Sequence, residues 1–362
     1  ADTVAIPPPA NGKLTLGNAV LQSLALSGTV QVKAFYRDFA SDPDSAKRLS
    51  LQLRRFKLGL EGAVSAHAGF RGEFLLDGAN KAFGAEDAYL WWRLNDMVGF
   101  KGGKLKRPFS QEALQSSRSL YTVERGELYH DFLAETTGYA YYDLGLIAYG
   151  GFTEDDAIFG YEFGVFNGKQ SGNGYANQQA EKTDAGFIAK DVVARLSAAP
   201  IRGLKLEAAV STKAAEDRSD PSTFAYAVNT AYELGLEYVL GPFRLLGEAS
   251  MGDNHKGKDS LIVDGSARFF AFYAMGVWHE GYSGGRASEL VLKLEGLDPD
   301  FGWKKGHGRP NDGLLRYTGG CNYFFTPAVS LLADYSLLQP ITKVPHEDRL
   351  IHSLDVLWRV SF

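Results

Sequence analysis

Cysteine occurs once in these 362 residues and methionine three times. The lone Cys321 excludes an internal disulfide and a cysteine-based zinc cluster, leaving a small apolar residue on a strand. Cofactor motifs of the C-x-x-C-H kind are missing, so no cofactor is expected. Basic residues are not in excess. The net charge of −5 offers none of the positive field that nucleic-acid binding requires. No apolar run approaches the ~20 residues of a membrane helix. A positively charged, apolar leader is also missing, and "ADTVAIPPPANGK" reads as the start of a mature chain exposed by signal-peptide cleavage. The expected frames of catalysis are missing too. "HEDRLIH" has the wrong spacing for a zinc helix, "GYSGG" lacks the G-x-S-x-G frame, and no GK[ST] closes "NGKQSGNG". Neither an enzyme nor a metal site is expected.

What is present is strand chemistry: 13% aromatic residues, 41 glycines, and period-two alternation almost everywhere, each run closed by Gly, Pro, Asn or Asp. In "TVQVKAFYR", Val30, Val32, Ala34 and Tyr36 share one face, and Thr29, Gln31, Lys33 and Arg37 the other. "FAYAVNTAYELGLEYVL" sets Tyr232, Leu234, Leu236 and Tyr238 against Glu233 and Glu237. Alternation alone fits a soluble sandwich as well as a membrane barrel. Three features favour the barrel. The runs reach about ten residues or more. Aromatics gather near strand ends, as in "YLWWRLND", "GVWHEGY" and "CNYFF", where lipid headgroups would hold them. Connections alternate between tight turns ("LND", "GP", "TP") and long polar loops ("SDPDSAK", "GKQSGNGYANQQAEK", "GDNHKGKDS", "DPDFGWKKGHGRPND", "QPITKVPHED").

The reading is an all-β chain: a transmembrane antiparallel β-barrel of about sixteen strands over residues 26–362, in the outer membrane of a Gram-negative bacterium, preceded by a periplasmic extension at 1–25. The chain ends "SLDVLWRVSF", with Trp358, Val360 and Phe362 on one face and only Leu357 breaking the polar face. A closing strand that ends in Phe looks like the signal read by the barrel-assembly machinery.

With the apolar faces toward lipid, the other faces line a lumen. In "RLSLQLRRFKLGLEG" the apolar phase runs through Leu49, Leu51 and Leu53, then through Phe56, Leu58 and Leu60. A bulge at Arg54-Arg55 would turn both arginines inward beside Lys57. A second slip at Gly102-Gly103 would place Lys101, Lys104 and Lys106 in the lumen and Leu105 against lipid. The longest segment without alternation, 107–136, needs a reason for its length. Folded inward, it would narrow the lumen and bring Glu112, Arg118, Glu124, Arg125 and Glu127 to a constriction. Lys33, Arg37, Arg71, Glu73 and Arg93 would line the wall elsewhere, together with Asp87, Glu162, Glu233, Glu237, Glu248, Glu295, Lys205, Arg244 and Lys293.

The segment "VGFKGGKLKRPFSQEALQSSRSLYTVERG" resembles the hallmark of the phosphate-selective porin O and P family, through Gly103, Lys104, Lys106, Pro108, Phe109, Ser116, Ser117, Glu124 and Arg125. "RRFKLGLEG" is similar to that family's second strand, and "GVFNG", "GPFRLLGEAS" and "GGCNYFFTPAVSLLADYS" add further matches from residue 26 onward. The resemblance implies a trimeric sixteen-stranded barrel that passes anions through a lysine- and arginine-lined lumen, with the third loop folded inside. The acidic balance of this chain departs from that pattern. The expected function is passive diffusion of small hydrophilic solutes with a preference for anions such as phosphate. A barrel that sheaths or anchors a partner protein, and a general or cation-preferring porin, are the alternatives. The expected partners are outer-membrane lipid, two further copies of the chain and small polar solutes.

Overall fold

A computed structural model describes residues 4–5, 14–16, 19–38, 48–77, 82–154, 157–168, 190–216, 226–254, 268–283, 286–299, 313–341 and 350–362. Sixteen long strands follow one another: β1 (Ser23–Asp38), β2 (Arg48–Ser65), β3 (Ala68–Asp77), β4 (Ala82–Arg93), β5 (Gly99–Lys106), β6 (Tyr142–Glu154), β7 (Ala157–Phe166), β8 (Asp191–Ile201), β9 (Leu204–Glu216), β10 (Tyr226–Leu240), β11 (Phe243–Asp253), β12 (Arg268–Ser283), β13 (Arg286–Asp298), β14 (Leu314–Thr326), β15 (Val329–Pro340) and β16 (Ile351–Ser361). Each pairs antiparallel with the next, and β16 pairs with β1 from His352 opposite Asp38 to Ser361 opposite Thr29. The sheet has no open edge, which lipid demands of any β structure that spans it.

Burial decides the question that alternation left open. Leu49 is 78% and Leu292 73% exposed, while Gln31 is fully buried and Lys33, Glu233 and Asp355 are nearly so. Apolar residues point out and charged residues point in, the reverse of a soluble sandwich. Tight connections at 66–67, 94–98, 202–203, 241–242 and 327–328 gather at one end. Gly241 takes φ +58° in front of Pro242, a backbone that a side chain would strain. Trp92, Phe243, Trp278, Phe325 and Trp358 lie outward near that end, and the Phe325 and Trp358 rings sit 5.4 Å apart. The expected polar loops at 39–47, 169–189, 255–267, 300–312 and 342–349, and the proline run at 7–9, lie outside the described residues.

The C-terminal residue takes part in the closure. Gly28 N–H donates to Phe362 O at 2.8 Å and Phe362 N–H to Gly28 O at 3.0 Å. The Phe362 ring covers Gly28 so closely that any side chain there would collide with it. Leu357, the one break in the terminal alternation, points inward and packs with Val123 and Leu332. It is an apolar seat for the inward segment.

The slip at Arg54-Arg55 has a structural counterpart: Gln31 faces Arg55 while Val32 faces Leu53, so Arg54 is the extra residue of a β-bulge. The slip expected at Gly102-Gly103 does not occur. The β4–β5 and β5–β6 ladders run through it without a shift, and Gly103 turns the chain at φ +137°, where a Cβ would meet Ala88 O. Leu105 is therefore not lipid-facing. It is 3% exposed and packs inside, in a cluster that includes Phe109 and Ile147.

Candidate functional site

The connection between β5 and β6, residues 107–141, lies within the barrel. Arg107, fully buried at its start, donates to Asp143 Oδ2 at 2.6 Å and to Asp191 on β8. Ser110 has φ +68° and caps the one-turn helix Gln111–Leu114, its hydroxyl accepting from Ala113 N–H at 3.2 Å. A second helical stretch follows, with Leu133 N–H bonded to Tyr129 O at 3.1 Å and a π turn over Phe132–Thr136.

One side of this loop is apolar, and so is the wall it meets. Phe109, Tyr129, Phe132, Leu133 and Tyr139 pack on inward-facing Ile147, Phe166, Val193, Phe269, Tyr273 and Met275. These wall residues escape a rule that reads every apolar residue as outward. The signal was the run "FFAFYAMGVW" on β12, apolar on both faces, as a strand buried on both sides must be. Polar anchors complete the seat. Glu248 accepts from Glu112 N–H at 2.6 Å, from Tyr129 Oη at 3.0 Å and from Tyr273 Oη at 2.9 Å. Asp334 accepts from Val123 N–H at 2.6 Å, and Asn322 donates to Tyr121 O at 2.8 Å.

The loop's other side borders a cavity of about 650 Å³ against β1 to β5 and the start of β6. Eight cations line it (Lys33, Arg37, Arg54, Arg55, Lys57, Lys104, Lys106 and Arg125) against five carboxylates (Glu86, Glu124, Glu127, Asp131 and Glu135). Several of these charges are spent on one another. Glu124 takes Lys33 at 2.9 Å, Arg54 at 2.5 Å and Arg55 at 2.7 Å, and Lys33 also reaches Asp355 at 3.4 Å. Burial pushes the Glu124 carboxyl up, but Arg55, Arg54 and Lys33 outweigh it and hold the group well below the usual carboxylate range. Burial opposes ionisation of Glu127 likewise, and Arg316 and Arg37 again prevail. Lys57 pairs with Glu86 and, at 3.3 Å, with Glu73. Lys106 donates to Ala113 O at 2.5 Å and Gln115 O at 3.3 Å, Lys104 to Ala85 O at 2.6 Å, and Arg125 to Glu112 O at 3.2 Å and Gln115 O at 2.5 Å.

Other residues expected at the constriction lie apart from this cavity. Glu112 is buried and held by Lys293 at 2.6 Å, accepting also from Gly126 N–H at 3.0 Å; it anchors the loop to β13. Arg118 is taken by Glu73 at 3.0 Å. Lys101 lies 4.6 Å from the Tyr149 ring. On the wall, Arg71 is shared by Asp87 at 3.2 Å, Glu61 at 3.4 Å and Glu73 at 3.7 Å, and Arg93 is exposed at the tight-turn end, its N–H on His67 O at 2.7 Å. Asp131, Glu135 and His130 border the cavity and were not singled out by sequence. Enclosure by the walls, with Glu127 and Glu135 alongside, pushes Asp131 up to about 7. Burial and the nearby Arg125 and Lys106 hold His130 well below its usual value, as a neutral imidazole.

Comparison with known proteins agrees with this architecture. No curated protein matches the sequence. Among solved structures, the anion-selective porin from Comamonas acidovorans superposes with a TM-score of 0.66 at 13% identity, covering 94% of this chain and 99% of that one. The outer membrane channel DcaP of Acinetobacter baumannii gives 0.62 at 12% identity over 98% and 99%. OmpT of Vibrio cholerae, an outer membrane protein in its trimer form, gives 0.57 at 12% identity over 94% and 99%. At such identities these likenesses establish the fold. The profile of phosphate-selective porin O and P matches residues 28–298. With that match spanning most of its length, the chain belongs to the phosphate-selective porin O and P family and is an outer-membrane channel of a Gram-negative bacterium.

Proposed function

We propose that the channel passes small anions, phosphate among them, by passive diffusion and with no catalytic step, as a homotrimer like the Vibrio cholerae OmpT form. The cation excess around the 650 Å³ cavity carries this reading. Glu124, Glu127 and Glu86 are each committed to cations, whereas Lys106 and Arg125 make no ion pair among the described residues, giving some donors to backbone carbonyls and keeping others for solutes. A passing anion exchanges part of its hydration for those donors, while the interspersed carboxylates keep it from binding too tightly to leave. The local field of the narrowed section sets the sign of the permeant ion, whatever the net charge of the chain.

Single-channel recording in a planar bilayer under a salt gradient tests this, with wild type beside Arg54→Ala/Arg55→Ala. A reversal potential that favours chloride and collapses in the variant supports it; cation preference unaltered by the variant overturns it. The many ties between loop and wall also favour a second reading, a filled barrel that sheaths or anchors a partner. Folded protein without conductance would select that one.

A further inference from the structure

The cavity is polarised as well as basic. From Gly126 to Thr137 the loop winds helically, and Glu127, Asp131 and Glu135 recur every fourth residue along one side. The opposite side, Leu128, Tyr129, Phe132 and Leu133, is buried against the barrel. The stripe of acids therefore faces the cavity from a rigid seat. Of the three, only Glu127 is neutralised, by Arg316 and by Arg37 at 3.3 Å; the carboxylates of Asp131 and Glu135 make no ion pair or hydrogen bond among the described residues. Arg54 on β2, Lys104 and Lys106 on β5, and Arg125 just before the helical stretch line the same cavity. His130, next to Asp131 in sequence, has its Nδ1 buried and without a hydrogen-bond partner.

We infer that this cavity is a subsite for zwitterionic solutes that carry a phosphate or carboxylate at one end and an ammonium at the other, the anionic end on Lys106 and Arg125 and the ammonium on Asp131 and Glu135. The inference rests on the anion-channel reading above and narrows it. A purely basic cavity would rank solutes by negative charge. A polarised one ranks a less negative zwitterion above a more negative simple anion, because the ammonium meets the two carboxylates that no protein cation occupies. His130, held neutral, lines the same cavity and leaves its charge pattern unaltered. Asp131, with its carboxyl near 7, is mostly ionised at pH 8.

The test is current block in planar bilayers at pH 8 by ethyl phosphate and by 2-aminoethyl phosphate, which share the anionic group and differ by one ammonium. Wild type should be blocked by 2-aminoethyl phosphate at about tenfold lower concentration, the sum of two modest charge contacts. In Asp131→Asn/Glu135→Gln the ratio of the two blocking concentrations should fall to one or reverse. Should that variant fail to fold, Glu135→Gln alone, at an exposed side chain, should remove part of the preference. Tighter block of wild type by ethyl phosphate, or a ratio untouched by the substitutions, overturns the subsite. The reversal potential of the same channels reports separately on the anion-channel reading: chloride preference with no zwitterion preference sinks only the subsite, and cation preference sinks both.

Discussion

Glu124→Gln offers the sharpest perturbation of the cavity's field. Glu124 is the carboxylate on which Lys33, Arg54 and Arg55 converge, and among the described residues only Asp355 also pairs with Lys33. The amide keeps the shape and removes one negative charge, so the local cluster becomes more positive by one unit. An ion passing roughly 7 Å away in water-like surroundings feels a unit charge as about 0.6 kcal/mol, close to RT. Anion occupancy should then rise about threefold and cation occupancy fall about threefold, moving the anion-to-cation permeability ratio by close to an order of magnitude. The reversal potential in a KCl gradient measures that ratio directly. Screening supplies an internal control: the change should be near its full size at about 0.1 M salt and shrink at about 1 M, where the Debye length falls to roughly 3 Å. The loop should stay seated, because Asp334, Asn322 and Glu248 hold it independently. An unchanged ratio at low salt, or a shift toward cations, would refute the assignment of this cluster to the ion path.

Further outcomes follow from other parts of the wall and loop. Asp131, with a carboxyl near 7, should lose its charge between about pH 8 and pH 6, so anion preference should rise as the pH falls through that window and Asp131→Asn should flatten the profile. Gly126→Ala should unseat the loop, because a Cβ would run into the buried Glu295 carboxylate; overpacking of about 1–3 kcal/mol should appear as larger, noisier single-channel conductance. Phe362→Ala removes the ring that covers Gly28 while keeping the backbone closure, and should slow barrel formation in vesicles, read as the fraction of heat-modifiable species with time.

The strand plan was legible because lipid imposes a strict period of two on a closed sheet. The bulge at Arg54 was legible for the same reason, since two apolar sets out of phase leave one residue too many. Leu105 departs from the pattern because the Gly102-Gly103 pair keeps register, with Gly103 at positive φ, and adds no extra residue. Reading every apolar residue as lipid-facing fails where a loop brings its own apolar surface inside, as at Phe269 and Tyr273. Nor does a charge's sign reveal its partner: Glu112 reads as a pore residue until the fold sets it against Lys293, some 180 positions away. Asp131 and Glu135 escaped notice because their helical spacing lies in a segment too short to stand out.

The wide sequence separation of the loop's anchors has a consequence for how the protein is made. Val123 reaches Asp334 across 211 positions and Arg359 reaches Leu120 O across 239, while Glu124 is held by the first two strands. A chain emerging from its amino end has nothing from β15 or β16 to grip the loop until the last hairpin arrives. Contacts so distant in sequence close late. The loop's apolar seat and its ties to Glu248 and Lys293 come from earlier strands, so the contacts with β15 and β16 are the last to lock it in place.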